Sequence, residues 1–145
     1  MENKNRALNC KINCLITETD SVYHQAAVKL GLSDSEMGIL YMLYEKGGKR
    51  LLSEIVKTTG ISKQTVNSAL RKLENEEVVV SEQSGKRAKV VCLTKKGQEF
   101  AEKTVARLFD AECSVYAAWT EEEVETYVRL MEKYNDDLRK QIEKL

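Results

Sequence analysis

Thr59-Gly60-Ile61-Ser62-Lys63-Gln64-Thr65-Val66-Asn67-Ser68-Ala69-Leu70-Arg71-Lys72-Leu73-Glu74 is the stretch on which the fold of this chain turns. Val66, Ala69, Leu70 and Leu73 recur at the spacing of one helical face, and Lys63, Gln64, Asn67, Ser68, Arg71 and Lys72 fall outside that stripe. Ser62 stands where a helix start needs a side-chain oxygen for its free backbone N–H groups. Gly60 supplies the backbone freedom for a tight turn just before it. Upstream, residues 52–59 place Ile55 and Val56 on the inner side of a short helix whose cap the sequence does not mark. Downstream, Val78-Val79-Val80 and Ala88-Lys89-Val90-Val91-Cys92-Leu93-Thr94 are extended runs, and Ser84-Gly85-Lys86-Arg87 between them has turn chemistry, so a β-hairpin is predicted.

Two short helices across a tight turn, followed at once by a hairpin, make a winged helix-turn-helix, with a recognition helix over about 62–76 and a wing over about 78–94. The second helix of such a pair enters the major groove of DNA. Its outer side chains suit that place: Gln and Asn bond adenine and Arg bonds guanine in bidentate fashion, and the helix N-terminus turns N–H groups toward phosphate. An arginine at a wing tip fits the minor groove. The candidate DNA-binding residues are therefore Ser62, Lys63, Gln64, Thr65, Asn67, Ser68, Arg71, Lys86, Arg87 and Lys89. A polar helix face is also what any solvated helix shows, and wing-tip cations also guard an exposed strand edge.

The distribution of charge bears on these alternatives more than its total does, although charge blocks are also what a solvated surface shows. The chain of 145 residues has 23 basic and 23 acidic residues and no net charge, which taken whole argues against a polyanionic partner. Between Lys49 and Lys96, however, eleven basic residues stand against five acidic ones, a block of +6, and the remainder carries −6. Such a division lets one face meet phosphate while the rest stays acidic.

The flanks are helical. There is no proline, so breaks must come from glycine and caps. Residues 8–30 form one long amphipathic helix stopped by Gly31. Ser33-Asp34-Ser35-Glu36 reads as a capping box ahead of a second helix through Met37, Ile39, Leu40, Met42 and Leu43, closed by Gly47-Gly48. Residues 95–118 are predicted as one helix with Phe100, Val105, Leu108, Phe109 and Val115 inward. Thr120-Glu121-Glu122-Glu123 caps the last helix, where Val124, Tyr127, Met131, Tyr134, Leu138, Ile142 and Leu145 follow steps of three and four close to a heptad seam. The fold class expected is mainly α with a small β-hairpin wing. Residues 33–96 form the DNA-binding lobe, and 1–32 with 97–145 a helical dimerisation region.

The recognition stretch from Gly60 to Glu74 resembles that of MarR-family regulators. Val90-Val91-Cys92-Leu93-Thr94-Lys95-Lys96-Gly97 is similar to the family's second wing strand with its Leu-Thr-x-x-Gly exit, and Leu32-Ser33-Asp34-Ser35-Glu36 before Ile39-Leu40 resembles its second-helix start. The resemblance implies a homodimer built from the first and last helices, which binds a palindromic double-stranded DNA operator. It further implies a repressor released by a small-molecule effector, and DNA contacts at Ser62, Lys63, Gln64, Asn67, Ser68, Arg71 and the wing Arg87. Two departures stand out: Gly85 replaces the acidic residue usual two positions before the wing arginine, and Glu77 replaces a frequent glycine after the recognition helix. The long apolar seam of the last helix argues independently for a dimer, which would set two recognition helices about 34 Å apart; packing within one chain is the alternative.

Other chemistries find less support. No run of 18 apolar residues spans a membrane, the N-terminus lacks the apolar core of a secretory signal, and a cytoplasmic chain with reduced thiols is expected. One histidine and four scattered cysteines do not complete a metal site, no nucleophile–base set or phosphate loop marks an enzyme, and no cofactor is expected. Tyr23, His24, Tyr41 and Tyr44 are the candidate lining of an effector pocket, although aromatics at helical spacing are more often plain core. Cys10 and Cys14, an i, i+4 pair in the first helix, are candidate redox thiols of a cysteine-sensing regulator. A winged-helix protein-interaction module without DNA binding is the remaining alternative.

Overall fold

The apolar stripes of consecutive helices converge in this structure, a computed structural model describing residues 2–145, with side chains from Asn3 onward. The order is α1 (Glu2–Leu30), α2 (Asp34–Glu45), β1 (Lys49–Leu51), α3 (Leu52–Thr59), α4 (Lys63–Asn75), β2 (Val79–Ser84), β3 (Ala88–Leu93), α5 (Lys95–Lys103), α6 (Val105–Ala117) and α7 (Glu121–Ile142). The chain divides into two compact units, one ending at Leu108 and one covering Phe109–Leu145.

In the first unit, Ile39, Leu40 and Leu43 of α2 meet Ile55 of α3, Val66 and Leu73 of α4, and Val79 and Val91 of the strands, all fully buried. Burying one such side chain is worth about 1.5–3 kcal/mol, so the core fixes how α4 lies. The predicted capping box of α2 is present: Ser33 Oγ accepts from the Glu36 N–H at 3.1 Å, and the Glu36 carboxylate accepts from the Ser33 N–H at 2.9 Å. Gly60 sits at φ 65°, in the left-handed region that the turn between α3 and α4 requires.

Three features differ from the expectations above. The sheet has three strands, not two, in the order β1-β3-β2 with both pairings antiparallel. The added strand pairs Lys49 with Cys92, Arg50 with Val91 and Leu51 with Val90. Its three residues are too few to show an alternation, so no sequence period announces it. The helix predicted over 95–118 is broken at Thr104, whose backbone (φ −121°, ψ −90°) leaves the helical region. The Thr104 hydroxyl donates to the Phe100 carbonyl at 2.7 Å, a local bond that competes with regular helix. Helix α1 also starts six residues earlier than predicted.

The hairpin pairs Val79–Ser84 with Leu93–Ala88 around a turn at residues 85–87. Thr94 ties its exit to its entrance. The Thr94 hydroxyl donates to the Glu77 carbonyl at 2.6 Å and accepts from the Gly97 N–H at 2.8 Å, capping α5.

In the second unit, Thr120 caps α7 through a capping box with Glu123. Trp119 meets Tyr116 and Tyr127 edge-on, with ring centroids 5.7 and 5.4 Å apart, the arrangement aromatic quadrupoles favour. No residue of α7 is buried. Among the described residues no helix is long and apolar enough to cross a membrane.

Candidate nucleic-acid interface

Helix α4 separates its two faces as its sequence requires. Val66, Ala69, Leu70 and Leu73 are buried. Lys63, Gln64, Ser68 and Arg71 are exposed, with Asn67 half-buried, at positions i, i+1, i+5, i+8 and i+4 of one opposing face. Ser62 caps the helix by accepting from the Thr65 N–H at 3.2 Å, and its hydroxyl donates to Thr65 Oγ1 at 2.9 Å. Ser68 donates to the Gln64 carbonyl at 3.0 Å. These three hydroxyls thus shape the helix, while Lys63, Gln64, Asn67 and Arg71 make no side-chain hydrogen bond or ion pair among the described residues.

Two side-chain contacts pin the last turn of the helix. Lys72 Nζ lies 2.8 Å from Glu36 Oε1 at the start of α2, so Lys72, read from sequence as an outer residue, faces a partner within the fold. Burial pushes the Glu36 carboxyl up, but the hydrogen bonds from Lys72 and Ser33 together outweigh it and hold the group below its ordinary value. The same bond to Glu36 holds Lys72 above its ordinary value. Two positions on, Glu74 accepts from the Ser81 hydroxyl of β2, joining the end of α4 to the hairpin.

The wing carries Lys86, Arg87 and Lys89, all exposed. Gly85 at φ 69° makes the turn. A cleft of about 370 Å³ opens between wing and helices, and Lys63, Arg87 and Lys89 line it together with Ser53 and Lys57 of α3. The last two were missed in the sequence: Lys57 entered the local charge, but nothing in the pattern of a short, unmarked helix says which way it points.

The candidate pocket residues sit differently. His24 Nδ1 lies 2.9 Å from Asp34 Oδ1, joining α1 to the first turn of α2. Tyr41 and Tyr44 lie partly buried against the core, and Tyr23 is exposed. Cys10 and Cys14 are free and exposed on α1, while Cys92 is half-buried on β3. No group of three or more metal-binding side chains occurs among the described residues.

Residues 30–88 match the MarR family model. The chain is similar in structure to a MarR family regulator from Neisseria meningitidis, at 17% identity and a TM-score of 0.80 over 92% of this chain and 95% of that one. It is also similar to a MarR family transcriptional regulator from Listeria monocytogenes complexed with 26mer DNA (21%, 0.70, 88% and 86%). A third likeness is to the MepR–DNA complex from Staphylococcus aureus (22%, 0.68, 88% and 94%). No curated protein sequence matches the chain. At these identities the likeness establishes the fold, which is that of the MarR-type winged helix.

Proposed function

From a MarR-type winged helix whose recognition face is bare, we propose that this protein is a sequence-specific double-stranded DNA-binding transcriptional regulator. One observation carries the reading: Lys63, Gln64, Asn67 and Arg71 share the outward face of a helix pinned on its other side, beside a cationic wing. Gln64, Asn67 and Arg71 read base edges; Lys63, Lys86, Arg87 and Lys89 bind phosphate or the minor groove, and the Ser62, Thr65 and Ser68 hydroxyls sit at the same surface. The DNA complexes of the Listeria and Staphylococcus regulators support the partner. The chain works as a binding protein rather than an enzyme, in the compartment that holds the DNA, the cytoplasm.

The regulator acts as a homodimer on a palindromic operator. Residues 33–96 form the DNA-binding lobe, and the helices of 1–32 and 97–145 form the dimer frame. Support comes from two faces taken separately: α1 exposes Leu8, Ile12, Leu15 and Ile16, and α7 exposes Met131, Tyr134, Leu138 and Ile142. It represses until a small-molecule effector, held near Tyr23, His24, Tyr41 and Tyr44, favours a state with lower operator affinity. The second reading, a cysteine-sensing regulator, rests on the exposure of Cys10 and Cys14. Loss of DNA affinity on peroxide treatment, cancelled by replacing either cysteine, would select it.

Selection from a random duplex library tests the main reading. Enrichment of an inverted repeat with half-sites about one helical turn apart is expected. Absence of enrichment together with no retention on heparin at low salt would leave a protein-interaction module.

A further inference from the structure

Lys57, Lys63, Arg87 and Lys89 line one cleft with no carboxylate among its lining residues. None of the four is ion-paired among the described residues, whereas Arg50, Lys72 and Lys96 of the same unit each have an acidic partner. Four like charges brought to one cleft repel one another, and an anion seated among them relieves that cost. The rest of the lining agrees with an anion. Ser53 offers a hydroxyl donor, Leu52 and Val56 are apolar, and α4 starts at Lys63, so its positive dipole end lies at the same edge. Several cations converging on one small cleft suit a phosphate, whose charge they can share.

We propose that the cleft seats one phosphate of a DNA strand, clamped between α3–α4 on one side and the wing on the other. Ser53 and Lys57 then join Lys63, Arg87 and Lys89 as DNA-binding residues. The inference rests on the DNA reading above and adds to it that wing and helices act on a shared phosphate. The strand is favoured over free phosphate because Lys63 belongs both to the cleft and to the recognition face. A strand bordering the groove read by α4 therefore passes the cleft mouth.

The test measures affinity of the full chain for a short mixed-sequence duplex across a sodium chloride series, for wild type, Lys57→Gln, Arg87→Gln and the double variant. Both side chains are exposed, and unchanged thermal melts would verify that folding is intact. Each single change is expected to weaken binding roughly fivefold, the scale of one exposed ion pair. Each neutralised phosphate contributes about 0.9 to the slope of log affinity against log salt. A shared phosphate, on which Lys63 and Lys89 remain, therefore predicts that the double variant loses at most about 0.9 in total. A loss of about 1.8 would assign the two cations to separate phosphates and overturn the clamp, as would wild-type affinity in Lys57→Gln. An unchanged slope, with sodium phosphate competing beyond its ionic strength in wild type but not in the double variant, would assign the cleft to free phosphate instead. A wild-type protein with no salt-dependent binding at all would defeat the DNA reading itself.

Discussion

Lys72 of α4 and Glu36 of α2 form an ion pair of 2.8 Å in which the carboxylate is almost completely buried and the ammonium is not. The same carboxylate closes the capping box by accepting from the Ser33 N–H. One side chain thereby starts α2 and holds α4, so the rotation of the exposed polar face of α4 depends on a residue remote from it.

Glu36→Gln is therefore expected to cost about 1–3 kcal/mol at neutral pH, the scale of a charged hydrogen bond lost at a buried site. The pH dependence has a definite sign. Glu36 is held below its ordinary value of 4.5 in the folded chain, so the unfolded state binds its proton first as pH falls. Its stabilisation is complete above about pH 4.5 and is lost as pH drops through the lower folded value. Urea unfolding at a series of acid pH values should show a shallower decline for Glu36→Gln than for wild type. Identical declines would mean that the pair contributes nothing.

Gly97 allows the wing to close on α5. A Cβ built there would lie 1.8 Å from the Val78 carbonyl oxygen, a backbone atom that cannot step aside. Gly97→Ala should therefore cost at least about 3 kcal/mol, the upper end of overpacking penalties. A denaturant midpoint close to wild type would show that the wing relaxes freely.

Long periodic stretches with marked ends were legible in the sequence. The stripe of α4, the Ser33 and Thr120 caps and the hairpin about Gly85 follow from residues close in the chain, and all of them are present. What escaped depends on partners far away. β1 exists because Lys49–Leu51 lies against β3, Lys72 is drawn to a carboxylate 36 positions earlier, and Lys57 reaches the cleft only once α3 packs beside β3. The break at Thr104 is local but carries no glycine or proline to announce it.

Glu77 occupies the turn where the resemblance suggested a glycine, and it does so at φ 60°. The turn keeps a left-handed residue while a side chain bears the strain, commonly about 1 kcal/mol. The Val78 N–H still reaches the Leu73 carbonyl at 2.9 Å across it. Glu77→Gly should raise stability by about 0.5–1 kcal/mol, because relief of strain exceeds the added freedom of the unfolded chain. Thermal melting of the two proteins decides the sign, and a lower midpoint for the variant would refute it.

Arg71 tests whether α4 reads bases or only touches the backbone. Its side chain is exposed on the same face as Gln64 and Asn67, with no acidic partner among the described residues. Arg71→Ala should cost about 1–3 kcal/mol on a selected operator and relax one base preference, with a much smaller loss on random duplex. Equal losses on both duplexes would reduce Arg71 to a phosphate contact.

The seam of α7 makes the strongest demand on oligomeric state. Met131, Tyr134, Leu138 and Ile142 are each 42–55% exposed in the single chain, and a stable interface needs about 1,200 Å² of buried surface or more. If a second copy covers this seam, Tyr134→Glu with Leu138→Glu places charges inside the dimer but on the open surface of the monomer. Sedimentation velocity should then show a dimer for wild type and a monomer for the variant, with far-UV dichroism unchanged. Operator affinity should collapse toward that of one half-site, because a single recognition helix loses the gain from tethered binding. A monomeric wild type, or a dimer that survives both charges, would place the interface elsewhere.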